Sequence, residues 1–107
     1  MMSGRAHSEL WIGLAEVASA DGARVLVDRN GAFTNVIALA DSAQMFELAV
    51  RQVVVALGLR LVSIEDAEPV RFRGGATALQ GEVGRLAAAV LLDGQPRVAT
   101  MHTWLGE

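Results

Sequence analysis

The sequence predicts an α+β fold: two layers, with an antiparallel or mixed sheet and two helices on one face. Three observations point there. The first is size. A chain of 107 residues suits one domain, and surface scaling leaves about 65% of its unfolded surface to bury, enough for a core without metal or disulfide. The second is composition: 52% hydrophobic and 20% charged residues exclude a disordered chain. The third is pattern. Short apolar runs bounded by turn signals alternate with two segments of helical period, in the order β-β(-β)-α-β-α-β. A ferredoxin-like arrangement, or a variant of it, is the leading topology. Residues 1–9 read as a polar N-terminal tail and residues 10–107 as a single α+β domain.

Residues 10–18, Leu-Trp-Ile-Gly-Leu-Ala-Glu-Val-Ala, read as a strand because the run is short and rich in Trp and branched aliphatics. Asp21-Gly22 marks a turn, and Arg24–Asp28 is a candidate second strand. Asn30-Gly31 is a pair able to take positive φ in a tight hairpin. Ala32–Ala40 is the next strand. Asp41, with Gln44 three residues on, forms a capping-box pattern, and Ser42 is an equally good cap. Phe46, Ala49, Val50, Val53, Val54 and Leu57 then recur at helical spacing, with Gln44, Glu47, Arg51 and Gln52 largely opposite. Gly58 ends the helix.

Leu59–Ile64 follows as a strand, stopped by Glu65-Asp66-Ala67-Glu68-Pro69, and Val70–Arg73 extends briefly. Gly74-Gly75 breaks the chain. Thr77 with Gln80 repeats the capping-box pattern, and Leu79, Val83, Leu86 and Val90 form the apolar stripe of a second helix. Gly81 and Gly84 inside it cost about 1 kcal/mol each relative to Ala. Asp93-Gly94-Gln95-Pro96 is the stop. Arg97–Trp104 is the last strand, with Val98, Thr100, His102 and Trp104 sharing a face.

The stretch Gly31-Ala32-Phe33-Thr34-Asn35-Val36-Ile37-Ala38-Leu39-Ala40-Asp41-Ser42, the phenylalanine at 46 and the terminal His102-Thr103-Trp104 resemble small bacterial proteins of unknown function. The resemblance implies a stand-alone bacterial domain and brings no functional residue with it.

Charge narrows the partners. Nine basic residues, all arginine, face twelve acidic ones, for a formal charge of −3. Such a chain has little grip on a phosphate backbone, so no nucleic-acid partner is expected. No cysteine is present, which removes disulfides, thiolate nucleophiles and Cys-type metal sites. The apolar runs fall short of the roughly 18 residues that span a bilayer, and the polar N-terminus lacks a leader's apolar core. The expectation is a cytoplasmic protein without membrane contact, cofactor or metal.

His102 is the one acid–base candidate, because histidine titrates near neutrality. Glu65, Asp66 or Glu68 would be its partner if their strands paired. The alternative is a sheet-edge histidine satisfied by backbone or water, and the sequence favours it, since nothing places a partner. His7 lies in the tail, and two histidines this far apart make no ligand motif. Glu65, Asp66 and Glu68 form a cation-site candidate but lack the alternating spacing of a calcium loop, so a solvated junction is the better reading. Arg71, Arg73, Gly74 and Gly75 precede a helix start and form an anion-site candidate, beside the plainer reading of a flexible loop. Trp11 and Trp104 are interface candidates as large aromatics, beside the reading that they fill the core.

Two functions remain in view. The first is a binding or interaction domain without catalytic activity, self-associating as a homodimer of about 23 kDa or meeting another bacterial protein. Its basis is that Leu10, Trp11, Ile12 and Leu14 do not alternate with polar residues, so something must cover the sheet's second face. The second is a small-molecule-binding domain or small enzyme, with His102 as acid/base and Glu65, Asp66 or Arg73 beside it in a pocket.

Overall fold

Residues 8–19 and 31–104 are described by the computed structural model, the side chains of residues 102–104 excepted. The predicted strand at 24–28, the Asp21-Gly22 turn and His7 lie outside the described residues. Among the described residues five strands and two α-helices follow one another: β1 (Glu9–Ser19), β2 (Gly31–Ala40), α1 (Ala43–Ala56), β3 (Leu59–Pro69), α2 (Gly81–Asp93), β4 (Arg97–Val98) and β5 (His102–Trp104). The sheet runs β3-β1-β2-β4, and β5 joins β4 along the same side of β2. Every pairing is antiparallel. The α+β class, with an antiparallel sheet and two helices, is as the sequence predicts.

The hairpin of β1 and β2 is the centre of the sheet, in unbroken register from Glu9↔Ala40 to Val17↔Ala32. Glu9, placed in the tail by the sequence, therefore belongs to the sheet. Both strands are buried on both faces, which is why their residues do not alternate. Trp11, Ala15, Val17, Val36, Ala38 and Ala40 pack with Phe46, Val50 and Val54 of α1. Leu10, Ile12 and Ile37, pointing the other way, pack with Val70 and with Ala87 and Val90 of α2. Neighbouring strand residues point to opposite faces, so the helices lie on opposite faces of the sheet. The expectation that both share one face, as in a ferredoxin-like variant, is corrected here. So is the argument built on it: the second face of β1 is covered by α2, from the same chain.

Local signals decide the helix ends. Ser42 is the N-cap of α1, its hydroxyl accepting from the Met45 amide at 3.2 Å; of the two caps weighed, Asp41 is the one not used. Gly58 follows the helix at φ 79°, where a side chain would clash. The second helix starts later than its capping-box pattern suggests. Thr77 sits in a short 3-10 turn (Ala76–Ala78), and α2 begins at Gly81 with Gln80 as an N-cap that makes no side-chain cap bond. Val70–Arg73 is a 3-10 turn too, not an extension of the strand.

Two bulges shape β3. Ile12 pairs with Glu68 and Leu14 with Glu65, so one extra residue of β3 is accommodated there; a second slip falls between Glu16 and Val17. Asp66, in the first bulge, has φ 57°. The acidic run 65–68 is thus part of the strand, not the turn that ends it. Gly13 faces this bulge. A Cβ on it would meet the Phe46 ring at 2.8 Å and the Ala67 backbone at 3.3 Å. Glycine at 13 is what lets the ring of α1 and the bulged strand close on β1.

The last strand is also broken. Val36 pairs with Val98, but Phe33 pairs with His102, so the segment between β4 and β5 carries one residue more than β2 opposite it. The even-numbered residues 98–104 therefore do not share one face, because an inserted residue reverses the alternation.

Candidate functional site

The free sides of the sheet and the outer faces of the helices are where this chain can meet other molecules. In α1 the residues turned to the sheet are Phe46, Val50 and Val54, all buried. At 100° per residue, Met45, Leu48, Gln52 and Val55 fall on the opposite side. There Met45 is 48% exposed, Leu48 47% and Val55 62%. The helix contains two charged residues, Glu47 and Arg51, and they pair with each other at 2.9 Å. Both flank the ridge. A helix that meets water on one side ordinarily puts its charges there; α1 puts methionine, leucine and valine there. The polar side read from Gln44, Glu47, Arg51 and Gln52 is interleaved with these apolar residues. The signal was legible in the spacing 45, 48, 52, 55, and sequence reasoning passed over it by counting the polar members alone.

The outer face of α2 is different in kind. Gly81, Gly84 and Ala88 are small, beside the larger Arg85 and Leu91, and with the 3-10 turn before the helix they border an open groove of about 650 Å³ whose lining also includes Ala76 and Leu79. Arg85 pairs with no described residue.

The residues singled out by sequence are dispersed. The side chain of His102 lies outside the description, but its backbone is placed: β5 runs beside β2, while the carboxylates proposed as its partners are on β3, at the opposite edge. Three interstrand steps, roughly 14 Å, separate the two edges. The pairing of strands on which that acid–base arrangement depended is not the one formed.

The arginines of the anion-site candidate are each engaged by a carboxylate. The Nε of Arg71 donates to Glu9 at 2.7 Å, and its guanidinium stacks over the Phe72 ring at 4.5 Å. The Nε of Arg73 donates to Glu68 at 2.6 Å, and another of its nitrogens donates to the Asp66 carbonyl at 3.0 Å. Gly74 and Gly75 lead into the second 3-10 turn, not into α2. The two guanidiniums therefore turn to different acidic partners and do not converge on a common point. Arg73 acts as a clasp on the bulge of β3. Among the described residues no group of three or more acidic or histidine side chains is placed to hold a metal ion.

Trp11, an interface candidate, is a core residue. It is 9% exposed and stacks on Phe46 with ring centroids 5.8 Å apart. Its indole nitrogen is buried without a hydrogen-bond partner among the described residues. The side chain of Trp104, the other candidate, lies outside the description. Among the described residues no helix is long and apolar enough to cross a membrane.

No protein-family model, no curated protein and no solved structure matches this chain. The chemistry of its own surface carries the functional reading.

Proposed function

We propose that this protein is a small self-associating interaction domain that works by binding and not by catalysis. One observation carries the reading: the outer ridge of α1, Met45, Leu48 and Val55, is apolar and half exposed or nearly so on a helix whose inner side is already filled. Large apolar side chains exposed along one side of a helix, here with only Gln52 among them, mark a place where another surface sits. Covering the exposed half of each of these side chains favours association by about 1 kcal/mol apiece. The only charges in the helix, one of each sign, add no net repulsion between copies.

Arg71 with Glu9, Arg73 with Glu68, Arg51 with Glu47 and Arg97 with Asp93 form ion pairs along the exterior, where each serves local structure. The sheet's second face, the original ground for expecting self-association, plays no part, because α2 occupies it.

Light scattering on the eluting peak of a size-exclusion column tests the proposal. The expected result is a mass above the 11.3 kDa of one chain that rises with concentration, and a return to one chain in the Leu48→Glu variant with its thermal midpoint retained. A wild-type chain that stays at one-chain mass at millimolar concentration would overturn the reading.

A further inference from the structure

The ridge on α1 has a counterpart on α2. Gly81, Gly84, Ala88 and Leu91 recur along α2 with the same 3-4-3 spacing that Met45, Leu48, Gln52 and Val55 have along α1. At 1.5 Å per residue each row is roughly 15 Å long. The α1 row is built of large side chains and stands out. The α2 row is built mostly of small ones and borders the open groove. Gly84 is small for an internal reason: a Cβ there would lie 2.6 Å from the Leu79 carbonyl oxygen. That close approach leaves the groove wall low at its middle. Large residues of one helix seat between the residues of another where the second is small.

Charge agrees with shape. Arg85 borders the groove with no carboxylate partner among the described residues. Glu47 flanks the α1 ridge, and its partner Arg51 is an exposed (i, i+4) neighbour, a pairing worth little and readily exchanged.

We infer that the α2 groove receives the α1 ridge of a second copy, so that the molecules associate head to tail. This rests on the self-association proposed above and names the surface that the ridge meets. The ridge and the groove lie on opposite faces of the sheet. A contact between unlike surfaces leaves one ridge and one groove free at the ends, so it extends into a chain or closes as a ring, where a two-fold contact stops at a pair.

Two single variants and their mixture test the inference. Leu48→Glu spoils the ridge and keeps the groove. Ala88→Arg fills the groove beside Arg85 and keeps the ridge; Ala88 is exposed, and circular dichroism checks that the fold is kept. Each variant alone is expected at one-chain mass. Their equimolar mixture is expected to give a 1:1 complex of about 23 kDa, since one intact ridge meets one intact groove. As a second measure with little steric change, Arg85→Glu should weaken association and Glu47→Arg, supplied in a second copy, should restore it. If Ala88→Arg associates like wild type while Leu48→Glu does not, the contact is a two-fold pairing of α1 with itself; the inference then fails and the proposed function stands. If wild type itself remains a single chain, both fail.

Discussion

The Thr34 hydroxyl donates to the Ala99 carbonyl at 2.7 Å, joining residues 65 apart in the chain. Among the described residues Thr34 is the polar one buried in the core, 1% exposed. The bond sits where β4 gives way to β5, and its neighbours complete the repair of that break. The Ala99 amide donates to the Asn35 carbonyl at 2.9 Å. The Thr100 amide and hydroxyl both donate to the Glu82 carboxylate, at 3.0 and 2.8 Å to one of its oxygens. A bulge frees backbone groups from the ladder, and here a threonine below and a glutamate from α2 take them up.

Replacing Thr34 by valine keeps the shape and removes the donor. The Ala99 carbonyl is then buried unpaired, which costs about 1–3 kcal/mol. Thr34→Ser keeps the bond and should recover most of that loss. Urea unfolding of the three proteins checks it; equal stability of wild type and Thr34→Val would show that the bond adds nothing.

Trp11 carries a buried indole N–H without a partner among the described residues, while its ring stacks on Phe46. The ring stabilises and the N–H costs. Trp11→Phe is therefore expected to change stability by about 1 kcal/mol or less in either direction, since an unpaired donor is lost together with some packing. Trp11→Ala is expected to cost about 3–5 kcal/mol. Thermal and urea unfolding, followed by circular dichroism, separate the two variants.

Gly13→Ala introduces a methyl into space held by the Phe46 ring and the Ala67 backbone. Overpacking of this kind costs about 1–3 kcal/mol. Combined with Phe46→Leu, the penalty should shrink, because the ring edge is the nearest obstacle. A double-mutant cycle measures the coupling; strict additivity would place the clash elsewhere.

Arg73→Ala removes the clasp on the β3 bulge. Both partners of its ion pair are about a third exposed, so the global loss is about 1 kcal/mol or less. The local effect is the informative one. Amide exchange around Asp66–Glu68 should quicken while the β1–β2 hairpin stays protected, because opening is confined to the edge strand. Uniform quickening across the sheet would contradict a local role.

Much of the fold was legible because it is written locally. The apolar runs that became β1 and β2, the serine at 42 ready to cap, and the glycines that stop both helices act through neighbours a few residues away. The sites were less legible. The anion candidate failed because Arg71 and Arg73 found carboxylates, Glu9 and Glu68, that no local spacing links to a ligand. The acid–base candidate lost its partners because β3 and β5 take opposite edges. The apolar ridge of α1 could have been read from Met45, Leu48 and Val55 alone, had the outer side of the helix been weighed by what it exposes.

By itself the sequence determined the class, α+β, and the identity of most elements, since periodicity, capping and turn chemistry depend on short stretches of chain. It also determined that β1 must be covered on both faces, because Leu10, Trp11, Ile12 and Leu14 do not alternate with polar residues. Only the tertiary structure decided what covers them. The side of a sheet on which a helix packs depends on how the connections cross it, and the bulge opposite Gly13 decides which way the side chains of β3 on either side of it point. Those are outcomes of long-range packing, and they place α2, not a second molecule, over Leu10 and Ile12.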